Sequence, residues 1–238
     1  MGRRRSRCAI LYDMEMSDVY AACRNELIDL AESISVTQAG ASLAATPPWT
    51  VLDGYRHLAG VCADFLDGRL DGAGSPEWTA AQIESRQANS LAEVCAEWTA
   101  SGPLFEAAVA QMGPTIAFLT FDVWTHGHDI RAAIGAPGNR RDPRVRVLAD
   151  AALSMFAGRY EASGAPTLLI LVDGEQYLLG PIGSEATVTL GTSAYELLRI
   201  LFGRRSAAQI AAANWTGDAA SAIDALHIFD LPGVDIVD

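Results

Sequence analysis

Ser163-Gly164-Ala165-Pro166-Thr167-Leu168-Leu169-Ile170-Leu171-Val172-Asp173-Gly174 is the stretch at which the chain changes character. Before it, apolar residues recur at helical spacing. Here a Gly/Pro turn gives way to an apolar run, Thr167 to Val172, that reads as a strand. Asp173-Gly174 is a hairpin turn and Gln176-Tyr177-Leu178-Leu179 the returning strand. Ala186 to Leu190 reads as a third strand. Helices follow over 193–202, 207–213 and 218–226, with Gly203-Arg204-Arg205-Ser206 between the first two. This tail is a small α/β arrangement.

Upstream, the pattern is helical throughout. Ser17 is a plausible N-cap for a helix to Ile34, whose stripe is Val19, Cys23, Leu27, Leu30 and Ile34. Thr46-Pro47-Pro48-Trp49 is a rigid turn, and Thr50-Val51-Leu52-Asp53 reads as a capping box opening a helix to Leu66. Residues 79–112 are predicted helical, with Ser101-Gly102-Pro103 interrupting the pattern. Gly113-Pro114 marks a boundary. The next helix covers 115–134 and ends at Gly135-Ala136-Pro137-Gly138; another spans 143–161. The fold class is therefore α+β. Residues 1–15 form an extension, 16–161 a helical bundle, and 166–238 a small α/β domain.

The composition limits the partners. With 238 residues, half of them hydrophobic, the chain can bury a sizeable core. A net charge of -12 argues against nucleic acid or an anionic membrane surface as a partner. The basic start Met1-Gly2-Arg3-Arg4-Arg5 is followed only by Cys8 to Tyr12 before Asp13, too short for a secretory core, and translation could begin at Met14 or Met16. Cys8, Cys23, Cys62 and Cys95 include no CxxC pair, so the expectation is a reduced, cytoplasmic protein with buried thiols.

The chemistry is concentrated at two places. Asp122 and His126 stand one helical turn apart on one face, a spacing at which a carboxylate and an imidazole can share a divalent metal. His57, on another helix, could complete a three-ligand site with an open position, which suits catalysis rather than structural support. Taken singly, each has a plainer reading: a buried helix histidine, or an i,i+4 pair on a helix surface. Asp122 lies among Phe118, Leu119, Phe121 and Trp124, however, and a carboxylate there needs a partner. Asp129 shares the His126 face and either orients that imidazole or pairs with a cation. His128 points away from the pair, and His227 reads as structural or exposed.

These pieces in combination resemble the mycothiol-dependent maleylpyruvate isomerases, of the wider DinB-like superfamily of metal-binding four-helix bundles. The resemblance rests on Trp49-Thr50-Val51 leading into His57-Leu58-Ala59, and on Asp122-x-x-x-His126-Gly127-His128-Asp129-Ile130-Arg131. It continues in Ser193-Ala194-Tyr195-Glu196-Leu197-Leu198, Gly203-Arg204-Arg205-Ser206 and Trp215-Thr216-Gly217-Asp218. It implies a divalent metal, zinc foremost, on His57, Asp122 and His126, with mycothiol as co-substrate. The isomerase is expected to carry Glu where this chain has Asp122, which would bring the metal closer to this helix and leaves the reaction open. The resemblance also implies a C-terminal arginine near the substrate carboxylates. Arg199, Arg204 and Arg205 are the candidates, with a surface role the plainer reading of each.

The implied chemistry is isomerisation by thiolate addition and loss, or S-transfer if the adduct is kept. A metal-dependent hydrolase on the same scaffold, or a non-catalytic ligand-binding or regulatory module, are the alternatives. The expected partners are a small-molecule substrate and a low-molecular-weight thiol, in a monomer or homodimer.

Overall fold

The structure is a computed structural model that describes residues 14–112, 116–138 and 140–238. All but two residues of the expected extension, and the expected boundary at Gly113-Pro114, lie outside the described residues. The chain forms two compact units, one over residues 14–138 and one over 140–237. No helix among the described residues is long and apolar enough to cross a membrane.

The first unit is the helical bundle. Its helices are α1 (Met16–Ala31), the single turn α2 (Val36–Ala39), α3 (Val51–Leu66), α4 (Pro76–Glu84), α5 (Leu91–Val109) and α6 (Ile116–Ala133). Helix α1 packs on α5 and α6, and α3 packs on α4, α5 and α6. The four long helices thus enclose one core, with Leu27, Tyr55, Leu58, Trp98, Phe105, Val123 and Ile130 in it. Its polar edges are matched. The Tyr55 hydroxyl donates to the Leu27 carbonyl at 2.7 Å, and the Trp98 indole donates to the Tyr20 hydroxyl at 3.2 Å.

Several helix ends follow the sequence and some do not. The Thr50–Asp53 capping box forms as expected. Ser17 is not the N-cap of α1: Glu15 holds that position, its carbonyl accepting from the backbone N–H of Asp18 and Val19. The helical stretch after residue 76 breaks at 85–90, where Ser90 and Glu93 form a new capping box. It does not break at Ser101-Gly102-Pro103, because α5 runs through Pro103. Gly102 serves packing there. A Cβ on it would lie 2.4 Å from Arg24 Nε, and Arg24 passes over it to reach Glu106 at 2.8 Å.

The second unit begins earlier than the change of secondary structure suggested. Helix α7 (Pro143–Ala162), which the sequence pattern assigned to the bundle, belongs to it. Its buried stripe includes Val145, Leu148, Ala152, Phe156 and Tyr160, and the Tyr160 hydroxyl donates to the Pro166 carbonyl at 2.8 Å. Strands β1 (Leu168–Val172), β2 (Glu175–Leu179), β3 (Val188–Thr192) and β4 (Asn214–Thr216) form a sheet in the order β2-β1-β3-β4. β1 and β2 are an antiparallel hairpin, and both turn residues, Asp173 and Gly174, take positive φ, as a tight hairpin turn requires. β3 runs parallel to β1, and the three-residue β4, not anticipated, pairs antiparallel with β3. Helices α8 (Ala194–Leu201), α9 (Ala207–Ala211) and α10 (Ala220–Ala225) complete the unit, and α7 packs on α8. A helical bundle followed by a small α/β domain is the fold class read from the sequence.

Candidate metal centre

His57 sits in the middle of α3, buried, on a stripe that continues through Gly60 and Asp64. That stripe faces α4. Gly60 allows a close approach: a Cβ there would fall 2.6 Å from Cβ of Gln82. Gln82, only 2% exposed, thereby reaches both neighbours of Gly60 on the stripe. Its Oε1 lies 2.8 Å from His57 Nδ1, and its Nε2 donates to Asp64 Oδ2 at 2.8 Å. Asp64 Oδ1 in turn accepts from Arg69 Nε at 2.9 Å.

Asp122 and His126 stand on α6 at the expected i,i+4 spacing. His126 Nε2 lies 3.6 Å from Asp122 Oδ1, and His57 Nε2 lies 3.4 Å from Asp122 Oδ2. Both imidazoles are buried, whereas the Asp122 side chain keeps 31% of its surface. On the far edge of His126, Nδ1 faces Asp129 Oδ2 at 3.5 Å, and the Asp129 side chain is 1% exposed. The loop before α3 adds a lid. Leu43 N–H bonds to the Trp49 carbonyl and Val51 N–H to the Ala41 carbonyl, which seats Trp49 over both rings. Its ring centroid is 5.0 Å from that of His57 and 5.4 Å from that of His126.

The donor set fits a divalent cation. One ligand atom each from His57, Asp122 and His126 lies within 4.8 Å of the others. Metal–ligand bonds of about 2.0–2.2 Å place the corners of a tetrahedron about 3.3–3.6 Å apart. The 3.4 and 3.6 Å separations are of that size. A carboxylate and two ring nitrogens are also the ligand chemistry of zinc and its first-row neighbours. The half-exposed carboxylate leaves one side of the cluster open.

Two of the bundle's three described thiols are unsuited to chemistry. Burial pushes the Cys62 and Cys95 thiols up to about 11, so neither offers a thiolate at neutral pH.

No protein-family model matches the sequence, and no curated protein matches it. Among solved structures, two resemble it: the mycothiol-dependent maleylpyruvate isomerase and a point mutant of that enzyme. Each superposes with a TM-score of 0.55 at 13% identity, over 82% of this chain and 91% of the other. The fold is shared with this isomerase. At that identity the likeness is one of architecture, and the sequence resemblance to the isomerase is upheld to that extent.

The arginines that the isomerase resemblance singled out are not surface residues. Arg199, Arg204 and Arg205 are all buried. Gly203, at φ 68°, turns the chain back after α8, and Arg204 N–H bonds to the Arg199 carbonyl at 2.7 Å. Arg205 then grips Glu196 bidentately at 2.8 and 2.9 Å, and Arg204 Nη1 donates to the Phe202 carbonyl. The carboxylate held in the Arg205 fork is therefore the protein's own. His128 stands outside the cluster, its ring 4.5 Å from that of Trp124, and His227 bonds to the Phe229 carbonyl.

Sequence reasoning missed Gln82 and Asp64. Asp64 is seven residues after His57, a spacing that puts both on one helix face and was readable. Gln82 lies on a separate helix with no local signal. Trp49 was noticed as part of a motif, but its stacking on two histidines is a tertiary fact.

Proposed function

We propose that His57, Asp122 and His126 hold one divalent metal ion, and that the chain uses it to activate a low-molecular-weight thiol for isomerisation or S-transfer. The observation that carries this reading is the convergence of two imidazole Nε2 atoms on one part-exposed carboxylate. A divalent cation among two imidazole nitrogens and a carboxylate could take one ligand atom from each. The isomerase of like fold is mycothiol-dependent by name, and mycothiol is the thiol proposed here.

When bound, the ion supplies stabilisation of a thiolate at neutral pH. The protein's own groups do the rest. His57 and His126 turn their Nε2 atoms inward, Asp122 contributes charge from the open side, and Trp49 covers the two rings. Trp49 also excludes water from the imidazole faces, which strengthens each electrostatic contact. Burial keeps Cys62 and Cys95 protonated, which supports a sulfur that comes from outside the protein.

Calorimetric titration with mycothiol is the test. The metal-loaded chain should bind it at least tenfold more tightly than the apo chain, and an S-blocked analogue should lose that difference. Equal affinity of the two forms, or no binding to either, overturns the thiol reading and favours hydrolysis or simple ligand binding at the same centre.

A further inference from the structure

We infer that Gln82 and Asp64 are positioning residues that set the metal affinity of the centre by holding His57 in the tautomer with its proton on Nδ1. The inference rests on the reading of His57 as a metal ligand.

The direction of each hydrogen bond selects the tautomer. Asp64 is a carboxylate held by Arg69, with Oδ1 at 2.9 Å from Nε and 2.8 Å from Nη2. An ionised carboxylate only accepts. The Gln82 amide must therefore turn its NH2 toward Asp64 Oδ2, as it does at 2.8 Å. The amide oxygen is then the atom left to face His57 Nδ1, at 2.8 Å, and a carbonyl oxygen also only accepts. The Nδ1 atom must carry the hydrogen. Nε2, on the opposite edge of the ring, then presents a lone pair toward Asp122, 3.4 Å away.

The relay is built into the packing. Gln82 and the His57 side chain are both buried, so an amide turned the wrong way would leave unmatched groups away from water. Gly60 is what lets Gln82 sit between its two partners, since any Cβ there would displace it. His126 has a carboxylate, Asp129, at the equivalent nitrogen, 3.5 Å away, so the two imidazoles are oriented by different means: one by a charge, the other by a neutral amide that a charge orients. Outer partners of this kind fix ring orientation and basicity, and their loss typically weakens metal binding by about 10–100-fold.

The experiment is a competition titration of the full-length apo chain with zinc against a chromophoric chelator, with 15N NMR of the His57 ring in the apo protein. The wild-type chain should bind one zinc, with His57 Nε2 unprotonated. Gln82→Leu should lower zinc affinity by roughly 10–100-fold and mix the tautomers. Gln82→Glu alone sets two carboxylates face to face and should also weaken binding. Combined with Asp64→Asn it restores the order of donors and acceptors, and affinity should return to within a few-fold of wild type. A merely structural pin between α3 and α4 would leave the ring tautomer unmoved. Zinc bound equally by wild type and Gln82→Leu, or a protonated Nε2 in the wild-type apo chain, overturns the positioning role alone. A wild-type chain that binds no zinc overturns the ligand reading, and this inference with it. The NMR measurement on the wild type needs no variant to fold.

Discussion

The His57–Asp122–His126 cluster of the bundle and the ion pairs of the α/β unit place polar side chains together in different ways. In the α/β unit the charges come as matched sets, buried or half-buried. Arg205 grips Glu196 with two bonds, and Arg146 meets Asp150 and Tyr177. In the bundle, Nε2 of His57 and Nε2 of His126 both face the Asp122 carboxylate. Matched sets hold a fold together; two imidazoles converging on one carboxylate are the proposed seat of a metal ion. The difference lies in complementarity.

That contrast makes separate demands on stability. Saturating zinc should stabilise the bundle by about 4 kcal/mol when free zinc exceeds the dissociation constant by about a thousandfold. Hydrogen exchange should show the gain as added protection in α3 and α6 and little change in β1 and β3. Protection spread equally over both units would erase the distinction.

Breaking a matched set should act the other way. Glu196→Gln should cost about 1–2 kcal/mol, because Arg205 stays buried with a weaker partner while Glu196 itself is part-exposed and screened. Urea denaturation measures the loss, and zinc affinity should stay within twofold of wild type. A large fall in zinc affinity with unchanged stability would place Arg205 and Glu196 in the site.

Much of this was legible in the sequence, for physical reasons that differ by element. β1 and β2 were located to within a residue because a continuous apolar run and an Asp-Gly turn leave few alternatives. The Thr50–Asp53 box and the Asp122–His126 pair were legible because both are local, set by helix geometry alone. The neighbours of α7 were not, since an amphipathic helix has the same period whether it covers a sheet or joins a bundle. Pro103 misled because Gly102 beside it reads as a stop, while Arg24, far away in sequence, makes the small residue a packing requirement. Arg205 looked like a surface cation because its partner lies nine residues back, across a turn that only the fold closes. Gln82 was invisible for the same reason: its role consists entirely of contacts with another helix.

The central claim is that His57, Asp122 and His126 are one metal site. Titrating the apo chain with cobalt(II) tests it most directly, because visible absorption reports both stoichiometry and coordination. A single endpoint at one ion per chain is expected in the wild type. His126→Ala and His57→Ala should each weaken binding by more than about a hundredfold, given that a complete site contributes on the order of 10 kcal/mol shared among its ligands. One ion bound with unchanged affinity and spectrum in both variants would contradict it.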